Sequence, residues 1–505
     1  MGREEQIISE RLRKLKELRE QGIDPYPNKF ETNYKSSELH EKYKNLKKEH
    51  PINTKVKLAG RLITVRDLGK IAFASLEDGH GRIQITLQDK KTPEKIRIFF
   101  KKYIDSGDFV GVEGSIFRTK SGELSILVRN LSLLSKSILP LPEKYHGLKD
   151  EEERLRKRYL DILMNPELKE VFLRKSRFWN AIRSFLLAKD FIEVETPVLE
   201  NEAGGATATP FKTHHNALDT NVYLRISMGE LWQKKLMVAG FNKTFEIGRQ
   251  FRNEGMDSEH LQDYTQMEFY WAYANYQDGM ALVKEMYRCI AKEVFGKTKF
   301  EHNSIKFDLS KEWRTIDYES EIKAQTGIDI FLDTEEEMRE KLRELSIGYL
   351  QTDPKPRLID LLWKHCRKSI VGPAFLTGQP ADVSPLAKRN PNDKRKVEQF
   401  QIIIAGSEVG NGYSELNDPL DQEQRFIEQS KLKEEGHEEA HEHDTSFIEA
   451  LKYGMPPTCG FGLSERLFSF LEGKPIRETV IFPLMKPLKS KKEAQHGKLN
   501  SAEQN

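Results

Sequence analysis

Alternating apolar and polar positions pick out the stretch around which the chain is organised, FEIGRQFRNEGMDSEHLQDYTQMEFYW at 245–271. At strand period, Phe245, Ile247 and Phe251 fall on one face, and Glu246, Gln250, Arg252 and Glu254 on the other. Gly255 breaks the run, a polar loop of about eight residues follows, and a second strand is predicted from near Thr265. There Met267 and Phe269 point one way; Gln266, Glu268 and Tyr270 point the other. The pattern predicts an antiparallel hairpin with an apolar back. Its front is either a solvated face or the floor of a site for a ligand that is both anionic and cationic.

QFQIIIAGSEVGNGYSELND (399–418) repeats the theme. Phe400, Ile402 and Ile404 alternate; Glu408 follows, then Asn411, Tyr413 and Glu415 at every second position. Gly410 and Gly412, between them, are expected to let a ligand approach the backbone closely. An ordinary strand end would read the same way. MPPTCGFGLSERLFSFLEG (455–473) predicts a glycine-punctuated strand entering a helix, with Arg466 in its first turns, a place where phosphate can be held. YLRISMGELWQKKL (223–236) predicts a strand running into a helix with Glu230 near its start, where an acid suits the helix dipole or faces a ligand.

Residues 3–21 predict an amphipathic helix, with Ile7, Leu12, Leu15 and Leu18 inward and Arg11, Arg13, Lys14, Lys16 and Arg19 outward. Between 55 and 135, about five short strands separated by turns suggest a small closed β-barrel. Arg66, Phe73, Gln84 and Glu123 lie in or beside its strands. They could stack on and read a single-stranded base, or be ordinary barrel surface. The expected organisation is a helical extension (1–54), a barrel (55–140), a linker (141–165), a second domain (166–487) whose part from about 280 to 370 is a largely helical insertion, and a disordered tail (488–505). FIEVETPVL (191–199) alternates like a strand, and Pro197 marks it as an edge or bend. The His-rich segment 437–443 reads as a surface loop.

The chain has 505 residues, enough for two or three domains with cores. Its 81 Lys and Arg against 79 Asp and Glu leave a formal charge of +2, so any nucleic-acid contact must come from local patches. No apolar run approaches the roughly 18 residues needed to span a membrane. The three separated cysteines read as reduced thiols, and the charged N-terminus is not a signal peptide, so a cytoplasmic protein is expected.

Taken together, these stretches resemble the class II lysyl-tRNA synthetases over roughly residues 5–487. FIEVETPVL resembles motif 1, FRNEG with YTQMEFYWAY motif 2, and GFGLSERL motif 3; GSEVGNGYSELND and THHNALD resemble stretches of the lysine branch. The resemblance implies an α+β fold: an N-terminal OB-fold β-barrel reading the anticodon, then a class II seven-stranded antiparallel β-sheet flanked by helices. It implies a homodimer through the motif 1 region, with ATP, L-lysine and tRNA(Lys) as partners and Mg²⁺ as cofactor. Arg252 would bind the α-phosphate and the lysine carboxylate, Glu254 the adenine amino group, Tyr264 the adenine ring, and Arg466 the triphosphate. Glu230 and Glu268 would take the α-ammonium, Tyr270 and Glu415 the ε-ammonium, with Asn411 and Tyr413 lining the pocket. Glu408 would bind Mg²⁺. In the barrel, Phe73 would stack on an anticodon uridine, and Arg66, Gln84 and Glu123 would read base edges.

The chain departs from the family pattern at five places. Gln401 stands where a second metal-binding carboxylate is usual. Motif 3 is one residue short near Ser464, and SMGELW carries an extra residue near Gly229. Thr209 replaces a common Arg, and Glu259 stands where some relatives have a basic residue. A ligase that lysylates proteins would lack the barrel, and the aspartate and asparagine relatives would need a cationic group where Glu415 stands. A catalytically dead relative would not be expected to keep Arg252, Glu254, Glu408 and Arg466.

Overall fold

The computed structural model describes residues 2–48, 52–142, 148, 150–202, 204–206, 208–255, 257, 260–434 and 444–488. The His-rich segment 437–443, Glu259 and the tail after Leu488 lie outside them. The chain forms two compact units, Met1–Arg154 and Leu155–Asn505.

In the first unit, helices α1 (Arg3–Glu20) and α2 (Ser36–Lys42) precede strands β1 (Ile52–Asp67), β2 (Ile71–Glu77) and β3 (Arg82–Gln88). Helix α3 (Glu94–Tyr103), β4 (Phe109–Arg118) and β5 (Leu124–Ser135) follow. The strands close in the order β1-β2-β3-β5-β4. Alternation builds the interior: Ala72, Ala74 and Leu76 of β2 meet Ile83, Ile85 and Leu87 of β3 inside, all buried. Arg11 departs from the helical pattern. It was expected outside, but it is buried while Leu12 is half exposed. Its guanidinium donates to the carbonyls of Ser106, Ser137 and Leu139, so the cation ties α1 down by satisfying carbonyls that apolar contact could not.

After α4 (Glu151–Arg156), the second unit runs through α5 (Arg158–Met164), α6 (Pro166–Leu187), β6 (Ile192–Glu193), β7 (Leu199–Glu200), β8 (Lys212–His215), β9 (Thr220–Leu224) and α7 (Glu230–Val238). Then come β10 (Lys243–Phe251), β11 (Asp263–Ala272), α8 (Tyr276–Phe295), β12 (Lys299–His302), β13 (Ile305–Asp308), β14 (Arg314–Asp317), α9 (Tyr318–Thr326), α10 (Glu335–Glu344) and α11 (Lys355–Cys366). The last elements are β15 (Ala374–Thr377), β16 (Gln399–Ile404), β17 (Ser407–Ser414), α12 (Pro419–Glu434), α13 (Thr445–Lys452), β18 (Thr458–Ser464) and α14 (Arg466–Glu472).

The main sheet has eight strands in the order β14-β15-β16-β17-β18-β11-β10-β6. The expectation was seven antiparallel strands. The two-residue β6 adds an edge, and both outer pairs, β14–β15 and β10–β6, are parallel. The 191–199 stretch yields only β6 and the start of β7, with a bend at Val198 between them. Within 280–370, helix α8 packs on the sheet through Val283, Met286 and Ile290, β14 joins the sheet itself, and α9, α10 and α11 share a core with Ile316, Ala374, Leu376 and Ile403 of its strands.

One face of the sheet is the core. Phe245, Met267, Phe269, Phe461 and Leu463 pack there against α6, α8 and α14. A Cβ on Gly410 or Gly412 would point to this side, while both residues line a cavity on the opposite face. A Cβ on Gly412 would lie 2.7 Å from the Phe400 ring, and one on Gly410 equally close to Phe461. Phe400 and Phe461 flank Gly412 in register and stack over it with centroids 5.7 Å apart.

Candidate active site

The opposite face carries the candidate polar residues. The β10–β11 hairpin pairs without a break from Lys243↔Trp271 to Phe251↔Asp263, so the second strand starts two residues earlier than the pattern suggested. Next to β11 lies β18, and beyond it β17. Glu268 and Asn411 both pair with Gly462, and Tyr270 and Tyr413 both pair with Gly460. Cross-strand partners share a face. The middle strand therefore offers only glycine between two rows of polar side chains, and a trough opens along it. The trough is part of a cavity of about 390 Å³. It is lined by every candidate from the catalytic stretches except Gln401. Gln401 pairs with Asn411, but the strand bulges immediately after it and the side chain is not on the cavity wall.

At one end, Glu268 is almost wholly buried. Its carboxylate accepts from the Met228 amide (3.1 Å), the Gln266 side-chain amide (2.6 Å) and the Tyr270 hydroxyl (3.0 Å). Gln250, fully buried, donates in turn to Gln266 at 2.5 Å. Burial, reinforced by the nearby Glu230 carboxylate, pushes the Glu268 carboxyl up to about 7. At the other end, Glu415 is 1% exposed. Burial pushes its carboxyl up, against the opposing pull of the Lys234 ammonium.

Glu230 opens α7. Gly229, at φ +65°, makes a left-handed turn immediately before α7, and it sits against Thr196, where a Cβ would collide. Glu230 Oε1 accepts from the Tyr413 hydroxyl and from Lys234 Nζ at 2.8 Å. Lys234 Nζ also lies 2.5 Å from Glu415 Oε2, and its side chain is fully buried. Tyr270 thus bonds Glu268, while Glu230 joins Glu415 through Lys234. Lys234 was missed. The available signal was its spacing of four from Glu230, which puts both on one face of a helix.

Arg252 lies just past β10, with its amide bonded to the Gln262 carbonyl and its guanidinium 5.9 Å from the Tyr264 ring centroid. Glu254 is exposed at the cavity rim, and Thr209 contributes its carbonyl to the Asn253 amide. The short motif 3 leaves Ser464 as the end of β18, and Arg466 is the first residue of α14. Burial raises the Glu408 carboxyl, against the pull of Arg466 and Arg367. Further polar groups that sequence reasoning did not single out line the wall. Among them, Gln399 donates to Asn411 at 2.8 Å.

In the barrel, Arg66 is opposite Phe73, and Phe73 is opposite Thr86. Gln84 donates to Ser125 Oγ at 2.8 Å, and Glu123 lies two residues before that serine. By strand alternation, Arg66, Phe73 and Gln84 lie on one outward face, and Glu123 immediately precedes β5.

The profile of tRNA synthetases class II (D, K and N) matches residues 150–486, and that of the OB-fold nucleic acid binding domain matches residues 56–134. The chain is 42% identical over 487 residues to a lysine–tRNA ligase of Thermosipho africanus (strain TCF52B), covering 96% of this chain and 97% of the relative. The chain belongs to the lysine–tRNA ligase family. The corresponding ligase of Thermotoga maritima is 43% identical with the same coverage. That of Enterococcus faecalis is 42% identical, covering 94% of this chain and 96% of the relative. The chain is therefore a class II aminoacyl-tRNA ligase. No helix among the described residues is long and apolar enough to cross a membrane.

Proposed function

We propose that the enzyme activates L-lysine with ATP to lysyl-adenylate and pyrophosphate, then transfers lysine to the terminal ribose of tRNA(Lys). The observation that supports this most directly is the glycine-floored trough with a buried carboxylate at each end. A substrate with two ammonium groups fits it. The α-ammonium goes to Glu268 and its network, and the ε-ammonium to Glu415, with Tyr270, Asn411 and Tyr413 along the walls. Arg252, at the Tyr264 side, takes the lysine carboxylate and the α-phosphate, because a planar fork suits two oxyanions at once. Tyr264 stacks on adenine, Glu254 holds its amino group, and Arg466 braces the triphosphate.

The reaction is in-line displacement: a lysine carboxylate oxygen attacks the α-phosphorus and pyrophosphate leaves. The protein contributes orientation and charge neutralisation, with no covalent enzyme intermediate. The cavity supplies one carboxylate, Glu408, for a divalent ion, and Gln401 lies away from it. No metal-holding group of three or more His, Cys, Asp or Glu occurs among the described residues. That donor set fits Mg²⁺ held mainly by phosphate oxygens and water; when bound, the ion neutralises charge on the departing pyrophosphate.

On the barrel, Phe73 stacks on an anticodon base while Arg66, Gln84 and Glu123 read edges. A homodimer through the motif 1 region is supported by exposed Ile192, Val198 and Leu199, and the setting we propose is the cytoplasm. Lysine-dependent exchange of pyrophosphate into ATP, followed by charging of tRNA(Lys), tests the reading. Absence of exchange with every amino acid, lysine included, would overturn it.

A further inference from the structure

Three carboxylates, Glu230, Glu268 and Glu415, face a trough whose proposed substrate brings only two ammonium groups. An unpaired third carboxylate buried here would be costly. Lys234 accounts for the difference. Its ammonium lies 2.8 Å from Glu230 Oε1 and 2.5 Å from Glu415 Oε2, over the rings of Tyr413 and Phe447 at 5.5 and 5.8 Å. Each carboxylate spends one oxygen on it. The other oxygen of Glu415 leans over the trough floor: a Cβ on Gly460 would fall 2.0 Å from Oε1.

We propose that Lys234 is a positioning residue for amino-acid selection, a resident counter-ion that stays in place and holds Glu415 so that Oε1 is aimed at the incoming side-chain ammonium. This rests on the lysine-activation reading and adds to it the group that orients the specificity carboxylate. Lys234 itself never touches the substrate's reacting atoms. Burial alone would discharge it, but the carboxylates of Glu230 and Glu415 outweigh burial and hold the ammonium above its ordinary value. It therefore keeps its charge when the pocket is empty, and the carboxylate is oriented before substrate arrives.

The test compares Lys234→Met, Lys234→Arg and Lys234→Ala in pyrophosphate exchange. Lys234→Met should raise the lysine KM on the order of 100-fold, as expected for a buried pair losing one partner, with the ATP KM unchanged. Lys234→Arg should lose less. Lys234→Ala should recover lysine affinity when n-propylammonium is added, because the free cation can occupy the vacated seat. A wild-type lysine KM in Lys234→Met overturns the proposal. So does a parallel rise of lysine and ATP KM with a lowered Tm and no rescue by n-propylammonium, which is the signature of a purely structural lysine. Absence of lysine-dependent exchange in the wild-type enzyme overturns the function reading itself, and this proposal with it.

Discussion

Replacing Gly460 by alanine probes the trough with a single methyl group. The backbone there is not in the left-handed region, so alanine is conformationally acceptable, but its Cβ would sit 2.0 Å from Glu415 Oε1 and 2.7 Å from the Tyr270 ring. Real Cβ contacts do not fall below 3.0 Å, so the carboxylate must retreat by about 1 Å. It cannot do so freely, being buried and ion-paired to Lys234. A misplacement of about 1 Å at a reacting constellation costs roughly 100-fold, or about 2.7 kcal/mol of transition-state stabilisation. Gly460→Ala should therefore lower kcat/KM for lysine about 100-fold in pyrophosphate exchange and leave the ATP KM near its wild-type value. Two neighbours serve as rulers. Gly462→Ala meets Glu268 Cγ only at 3.1 Å, so its effect should be about tenfold or less. Gly412→Ala collides with Phe400 on the core side and should lower Tm first. A wild-type lysine kcat/KM in Gly460→Ala, or equal losses for lysine and ATP, would refute the assignment of the trough.

Other expectations follow from the same geometry. Arg252→Ala should abolish adenylate formation, and exchange at wild-type rates would remove Arg252 from its role. The Glu268 carboxyl, raised to about 7, is protonated below that pH and then cannot pair with the α-ammonium. Lysine kcat/KM should accordingly fall about tenfold per pH unit below about 7, and a flat profile from pH 5.5 to 8 would contradict this. Glu200, buried and accepting from Trp232 Nε1 at 3.0 Å, is pushed by burial to about 7 from 4.5. The folded state holds that proton more tightly than the unfolded chain, so its stabilising contribution is present below about pH 4.5 and lost as pH rises through 7. Glu200→Gln should therefore stabilise the fold by roughly 1–3 kcal/mol at pH 8 and little at pH 4.5, read as the pH dependence of Tm. Phe73→Ala should raise the KM for tRNA(Lys) in charging while leaving exchange unchanged, since the ring is on the barrel and not at the trough.

Local pattern carried much of this protein. The period of two in 245–271 and 399–418 determined which residues of the β10–β11 hairpin and of β16–β17 face the core, because a strand's side chains alternate whatever else surrounds it. It also placed Arg252, Glu268, Tyr270, Asn411 and Tyr413 on the chemical side, and the barrel strands followed from the same rule. What pattern could not decide was who neighbours whom. Only the insertion of β18 between β11 and β17 brings Gly460 and Gly462 between the two rows of polar side chains. Only the packing of α7 against the sheet carries the Lys234 ammonium to Glu415, 181 residues away in the chain. The same holds for Arg11, whose buried seat exists because three carbonyls from distant segments converge there. Alternation is a property of the covalent chain, whereas an ion pair or a shared glycine floor is a property of strand order and packing, which no single segment encodes.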